Sequence, residues 1–274
     1  MKKFKIQNSR FKMQSAKFKI LVFLIFEFLI FNFTFADNAS AELTINANHD
    51  HITIDFFYHG STVSASGISN QDVDLIVKIT SPEGHQVMKE KGKAAGFLWM
   101  NVGTLNLEHV PNFYALHSTK KIEDILNKDE MEKYVIGYPA LEKHVGMSPV
   151  ANESDKTKWF EEFVKFKEDS KLYAMSSGKI SFSHEGGKRK YYILTQWPYQ
   201  APPGTYTVTV YAVKNGKVAE TAQSSVLVEQ VGIVKSLAGM AKNNGVLYGI
   251  ISIVAALGAG FGVGMVFRKG GGAH

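Results

Sequence analysis

The segment Val246–Phe267 constrains this chain more than any other, because its 22 residues include no charged side chain. As a helix it is about 33 Å long, a match for a hydrocarbon core about 30 Å thick. Tyr248 stands near its start, and Arg268 and Lys269 follow its end. Aromatic residues favour the interface and Lys/Arg the cytoplasmic side. The pattern therefore predicts a transmembrane helix over 246–267 with a cytoplasmic tail over 268–274.

The other end of the chain agrees with that topology. Lys2, Lys3, Lys5, Arg10, Lys12, Lys17 and Lys19 precede an apolar run from Ile20 to Phe35, and Ala39-Ser40-Ala41 places small residues before a cleavage point. This is the three-part order of a secretory signal peptide, expected over residues 1–41. Met13 offers an alternative start that keeps Lys17 and Lys19 ahead of the run. Glu27 interrupts the run and makes it a poor permanent span. The expectation is a single-pass protein of the plasma (inner) membrane, with residues 42–230 forming an extracytoplasmic, periplasmic domain. Residues 231–245 then form a juxtamembrane stalk.

Charge excludes one class of partner. The formal net charge is +6, but the first 41 residues carry seven Lys/Arg against two Asp/Glu, and the remainder carries 24 against 23. The basic balance belongs to the leader, so no nucleic-acid footprint is expected. The chain has no cysteine. Disulfide frameworks, Cys-ligated zinc, iron–sulfur clusters, c-type haem and thiol catalysis are excluded with it. No cofactor is expected.

Between the two ends the chain reads mainly as strands. Leu43–Ile45, Ile52–Ile54, Thr62–Ala65 and Val73–Ile79 are short alternating or β-branched segments set between Asn, Gly and Ser residues. Lys179–His184, Tyr191–Trp197, Thr205–Val213 and Val218–Val228 repeat the pattern, and Asn215-Gly216 joins the last two as a hairpin turn. Pro203-Gly204-Thr205-Tyr206 places a tyrosine just after a Pro-Gly turn, as many immunoglobulin-like domains do on entering a late strand. The expected fold is a mainly β, immunoglobulin-like β-sandwich with a helical insertion at about 120–175.

The insertion is read from its period. Over Ser154–Met175, Trp159, Phe160, Phe163, Val164 and Phe166 recur at three- and four-residue spacing while Glu161, Glu162, Lys165 and Lys167 fill the gaps. That is an amphipathic helix with Ser154 or Asp155 as cap. Lys120–Leu126 is a shorter helical piece, and Val231–Lys242 a second amphipathic one leading into the span.

Several blocks resemble a transmembrane protein family first described from alphaproteobacteria, whose function is not established. They are Phe56-Phe57-Tyr58-His59-Gly60, Gly96-Phe97-Leu98-Trp99-Met100-Asn101-Val102, Val110–Leu116, the helix from Trp159-Phe160 to Leu172-Tyr173, Pro203–Tyr206 and Phe267-Arg268-Lys269. The chain departs from the family's style in Lys269, where a second arginine is common, and in the polar Asn243-Asn244 before the span. The resemblance implies a signal peptide, an extracytoplasmic β-rich domain, one C-terminal span, and genes close to those of sulfite-exporter-type permeases.

Candidate chemistry is sparse. His49 and His51, two apart on a strand, point to one face, and His59 is a third metal ligand if a turn folds it back. On an unbroken strand His59 would lie about 26 Å from His51, so that site needs a hairpin. His109 and His117 flank the Val110–Leu116 block as loop histidines, and Gly186-Gly187-Lys188-Arg189-Lys190 reads as a solvated basic turn. No Gly-x-Ser-x-Gly elbow, His-Glu-x-x-His helix, phosphate loop or dinucleotide fingerprint occurs in the sequence. No enzyme is expected.

The span itself carries a pattern. Gly258 and Gly262 form one Gly-x-x-x-Gly row, and Ala256, Gly260 and Gly264 a second; an offset of two residues turns the second about 200° from the first. The expected function is that of an accessory or assembly partner of a membrane complex, a permease or a second copy of the chain. Its contacts would be Gly258, Gly260, Gly262 and Gly264 in the lipid bilayer, and Phe56, Tyr58, His59, Trp99 and Asn101 on the domain. The alternative is a metal- or ligand-binding module using His49, His51 and His59.

Overall fold

Alternation and β-branching along the chain resolve into thirteen strands in the computed structural model, which describes residues 43–48, 50–70, 72–185 and 188–268. The leader, His49, the Gly186-Gly187 turn and the tail beyond 268 lie outside the described residues. Strands β1 (Asn46–Ala47), β3 (Ser61–Ser69), β11 (Lys188–Trp197) and β10 (Ser181–Glu185) form a four-stranded sheet in the order β1-β3-β11-β10. Six more strands form a second sheet: β2 (His51–Ile54), β13 (Lys217–Gln230), β12 (Gly204–Lys214), β4 (Asp74–Thr80), β7 (Tyr114–Ser118) and β9 (Tyr173–Ser177), in that order. The third sheet is built on a long hairpin, β5 (Glu83–Ala94) and β6 (Leu98–Pro111), with β8 (Gly146–Ser148) on its flank.

The Asn215-Gly216 turn forms as the sequence predicts. Both residues have positive φ, 53° and 77°, the backbone that a two-residue hairpin turn needs for its twist to match the strands. Leu43–Ile45, expected as a strand, lies just ahead of β1, with the Thr44 N–H bonded to Ile68 O at 3.0 Å.

The helical insertion has a topological reason. β7 and β9 are parallel neighbours, Tyr114 opposite Tyr173, and parallel strands cannot be joined by a tight turn. The crossover is made by α1 (Ile122–Ile125), α2 (Lys128–Tyr134), α3 (Tyr138–His144) and α4 (Glu153–Asp169). The single helix expected over Ser154–Met175 is therefore cut short: Lys171 takes φ +56° and Tyr173–Ser177 leaves as a strand on the sheet edge. The cap is Asn152 rather than Ser154 or Asp155, its side chain accepting from the Asp155 N–H at 2.9 Å.

The buried stripe of α4 is Phe160, Phe163, Val164 and Lys167, the i, i+3, i+4, i+7 set of one helix face. Phe166, one position off, is exposed. Lys167 takes the core position and is only 3% exposed. Its ammonium lies over the rings of Phe163 and Tyr173 at 5.4 and 5.8 Å, and donates to Asn112 O at 3.4 Å. Burial pulls its pKa down to about 8.

The two larger sheets share one core. Trp197 of β11, 1% exposed, stacks on Phe113 at 4.9 Å between ring centres and meets Tyr206 of β12 edge-on at 4.6 Å. Beside them the Tyr114 hydroxyl donates to Val135 O and accepts from the Gly137 N–H, each at 2.9 Å, pinning the α2–α3 connection to β7.

At the C-terminal end, α5 (Gly232–Asn243) and α6 (Gly245–Arg268) follow β13, separated by Asn244. Within α6, Gly245–Met265 is long and apolar enough to cross a membrane, with a mean hydropathy of 2.1. None of that window is buried against the rest of the chain.

Candidate functional site

A cleft of about 840 Å³ lies between the start of β3, the inner face of β7, the α4–β9 connection and the end of β11. At its mouth stand His59, Gly60, Lys171 and Tyr199, and in its floor His117, Thr195 and Trp197. Gly60 holds φ +108°, and a Cβ there would stand 3.0 Å from Trp197 O. Only glycine lets the chain run this close to β11.

His117 is a strand residue, not the loop histidine its place in the sequence suggested, and it is buried. Its Nδ1 is 2.7 Å from Ser176 Oγ on β9 and its Nε2 is 2.7 Å from Thr195 Oγ1 on β11. Burial holds its pKa below the ordinary 6.5, so the neutral ring is favoured. Both nitrogens are occupied by hydroxyls and no carboxylate orients the ring in this pair of contacts. The arrangement clamps three strands. Next to it the Trp197 indole N–H is buried without an acceptor among the described residues.

Of the three histidines expected as metal ligands, His51 and His59 are among the described residues. His51 on β2 pairs with Glu229 of β13 at 2.9 Å, while the His59 ring nitrogen bonds back to Phe57 O at the cleft mouth. His49 lies outside the described residues. Among the described residues no group of three or more His, Asp or Glu side chains is placed to hold a metal ion. His109, at φ +57°, faces Glu83 at 3.8 Å, and His144 binds the other oxygen of the same carboxylate at 2.8 Å. Of the basic turn, Arg189 is no free charge: its guanidinium donates to Val73 O at 2.8 Å and packs 3.6 Å over the Phe182 ring.

The expected contact residues fall in three places. Tyr58 is half-buried against the core, while Phe56 and Phe57 project from the loop after β2, 70% and 76% exposed. Trp99 and Asn101 sit near the distal end of the β5–β6 hairpin. Gly258, Gly260, Gly262 and Gly264 line α6, each with open space where a Cβ would stand.

The hairpin is the element that strand reading along the sequence passed over. Its far half carries Phe97, 77% exposed, and Trp99, 66% exposed, with Leu98, Met100 and Val102 also in the open. Lys93 pairs with Trp99 across the hairpin and holds its ammonium 5.3 Å over the indole. The hairpin turns at Ala95-Gly96, both at positive φ, and its first strand, Glu83–Ala94, has Val87 as its one β-branched residue among Glu, Gly, Lys, Gln and Ala, so local composition gave no strand signal there.

Residues 42–269 match the family model described as Putative transmembrane protein (Alph_Pro_TM). No curated protein matches the chain. One similar solved structure is BslA, a bacterial hydrophobin, 12% identical, covering 70% of this chain and 95% of that one with a TM-score of 0.22. A likeness of that size carries no weight for the fold or for function.

Proposed function

Since the chain belongs to the Alph_Pro_TM family of transmembrane proteins, we propose that it is a non-enzymatic, single-span accessory subunit that assembles laterally with a polytopic membrane protein, a permease, or with a second copy of itself. In this reading the leader is a signal peptide, the β-rich body is periplasmic and the short tail after α6 is cytoplasmic. The body is an immunoglobulin-like sandwich; in support, the Tyr206 hydroxyl donates to Pro202 O at 2.6 Å, the bond back to upstream backbone that such domains make at a strand corner.

The observation that carries the proposal is the bare surface of α6. Its glycines form two rows on nearly opposite faces, and a Cβ at Gly258, Gly260, Gly262 or Gly264 would meet nothing within 4 Å. In lipid there is no hydrophobic drive for helices to pair, and close backbone approach along small-residue rows supplies the contact instead. Two such rows give α6 room for a neighbour on each side.

The test uses the full chain tagged after His274, extracted from native membranes in mild detergent. The expected result is a polytopic protein, or a second copy, at comparable amount in the wild type and its loss in Gly260→Leu with the β-domain still folded. A lone monomer, or a partner retained by Gly260→Leu, retires the proposal.

A further inference from the structure

Beyond lateral assembly, we infer that the domain is seated on the bilayer that α6 crosses, with the Phe56–Phe57 loop and the tip of the β5–β6 hairpin inserted among the lipid headgroups and upper acyl chains. The occupant is set by where the chain leaves the sheet. Gln230 pairs with Ile54, and the Val231 N–H donates to Ile54 O at 3.0 Å. Phe56 and Phe57 therefore leave β2 within a few residues of the start of α5, which leads into α6. Their backbone is set by Asp55, whose carboxylate accepts from the Phe57 N–H at 2.9 Å, and their rings meet edge-on at 5.3 Å. Two exposed phenylalanines beside the exit to a membrane helix have lipid as their nearest apolar medium.

The connecting helix has the matching polarity. α5 buries none of its residues in the domain, and Ile233 and Leu237 are exposed one turn apart. Lys235 and Lys242 fall about 180° round the helix from them at 100° per residue. A helix with that division lies along a lipid interface, apolar face down.

The hairpin starts from the same end of the six-stranded sheet. Thr80, the last residue of β4, is opposite Thr207 near the start of β12 and Tyr114 at the start of β7. β13 passes Gly204 at Val228 just before α5. The root of the hairpin at Glu83 and Pro111 thus adjoins the edge from which the chain exits. Cross-strand pairs put Leu98 and Met100 on one face of the tip, and Lys93 with Trp99 and Lys91 with Asn101 on the other. Residues 91–102 carry two lysines and no acid. An apolar face backed by tryptophan and lysine suits an anionic lipid surface, where the indole sits at headgroup level and the ammonium reaches phosphate.

The test places the full chain in vesicles of phosphatidylglycerol and phosphatidylcholine with brominated acyl chains, which quench indole emission only on contact. Trp99 is read as the difference between wild type and Trp99→Phe. The loop is read by adding Phe57→Trp to Trp99→Phe. The expected result is at least twofold quenching of each reporter by the brominated lipid, little quenching by aqueous iodide, and reduced lipid quenching of Trp99 in Lys91→Glu/Lys93→Glu. A reporter quenched by iodide and not by lipid is in water, and one quenched by neither is covered by protein. Either result at either reporter overturns the inference, and neither bears on the co-purification that tests lateral assembly.

Discussion

His117 Nε2 lies 2.7 Å from Thr195 Oγ1, so one side-chain hydrogen bond ties β7 of the six-stranded sheet to β11 of the four-stranded one. A neutral imidazole offers one donor and one acceptor nitrogen, and a hydroxyl can serve as either partner. Ser176 completes the set from β9. Removing one hydroxyl leaves a buried ring nitrogen without a partner. Thr195→Val is therefore expected to lower stability by about 1–3 kcal/mol, read as a fall in the urea midpoint of the detergent-solubilised protein. An unchanged midpoint would show that the bond contributes nothing.

The same histidine sets an acid limit. Its folded pKa lies below the ordinary 6.5 because burial disfavours the charged ring. As pH falls below about 6.5 the unfolded chain takes up the proton first, so the stability held above that pH is lost as pH drops toward the folded value. His117→Asn should show a shallower loss between pH 7 and pH 5 than the wild type. Parallel stability profiles for the two proteins would exclude His117 as the group responsible.

Lys167 works in the same direction, in a more alkaline window. With its pKa pulled from 10.5 to about 8, the folded state binds fewer protons than the unfolded state between those values, and stability rises with pH across that window. Lys167→Met keeps the length of the side chain and removes the buried charge. It is expected to stabilise the domain by about 1–3 kcal/mol at pH 7. The advantage should shrink as pH passes from 8 toward 10.5. A variant less stable than the wild type at pH 7 would mean that the stacking on Phe163 and Tyr173 outweighs the cost of burial.

At the cleft mouth, Gly60→Ala meets two penalties at once: a φ of +108° and a Cβ 3.0 Å from Trp197 O. A loss of about 1–3 kcal/mol is expected. Emission from Trp197, buried in wild type, should shift to the red if β11 moves away to relieve the contact. Full stability in Gly60→Ala would mean that the loop after β2 is free to rearrange.

Periodic features were legible in the sequence, and contacts between distant segments were not. The Asn215-Gly216 turn, the strands on either side of it and the uncharged span stand where local pattern places them, because each is decided by neighbours in the chain. The α4 stripe shows the limit of reading by residue type. Residue type puts Phe166 on the apolar face and Lys167 on the polar one, whereas strict spacing from Phe160 puts residue 167 inside. Tyr173–Ser177 follows a helix with no breaker but Lys171, and its strand state comes from the open edge of β7, 59 residues earlier at the Tyr114–Tyr173 pair. The cleft was out of reach for the same reason: His117 meets Thr195 across 78 positions. Phe56, Trp99 and the glycines of α6 were found as candidates, but only the sheet pairing shows which of them stand near the chain's exit.

That exit also decides how the protein bears load. A pull from the membrane enters β13 at Gln230 and runs along the strand, which is paired on one side with the long antiparallel β12 and on the other with the parallel β2. The ladder bonds lie across the direction of that pull, so they are strained side by side instead of being opened one after another. The domain is thereby fastened to α6 by a lap joint, and a pull along β13 is shared by the whole length of the strand.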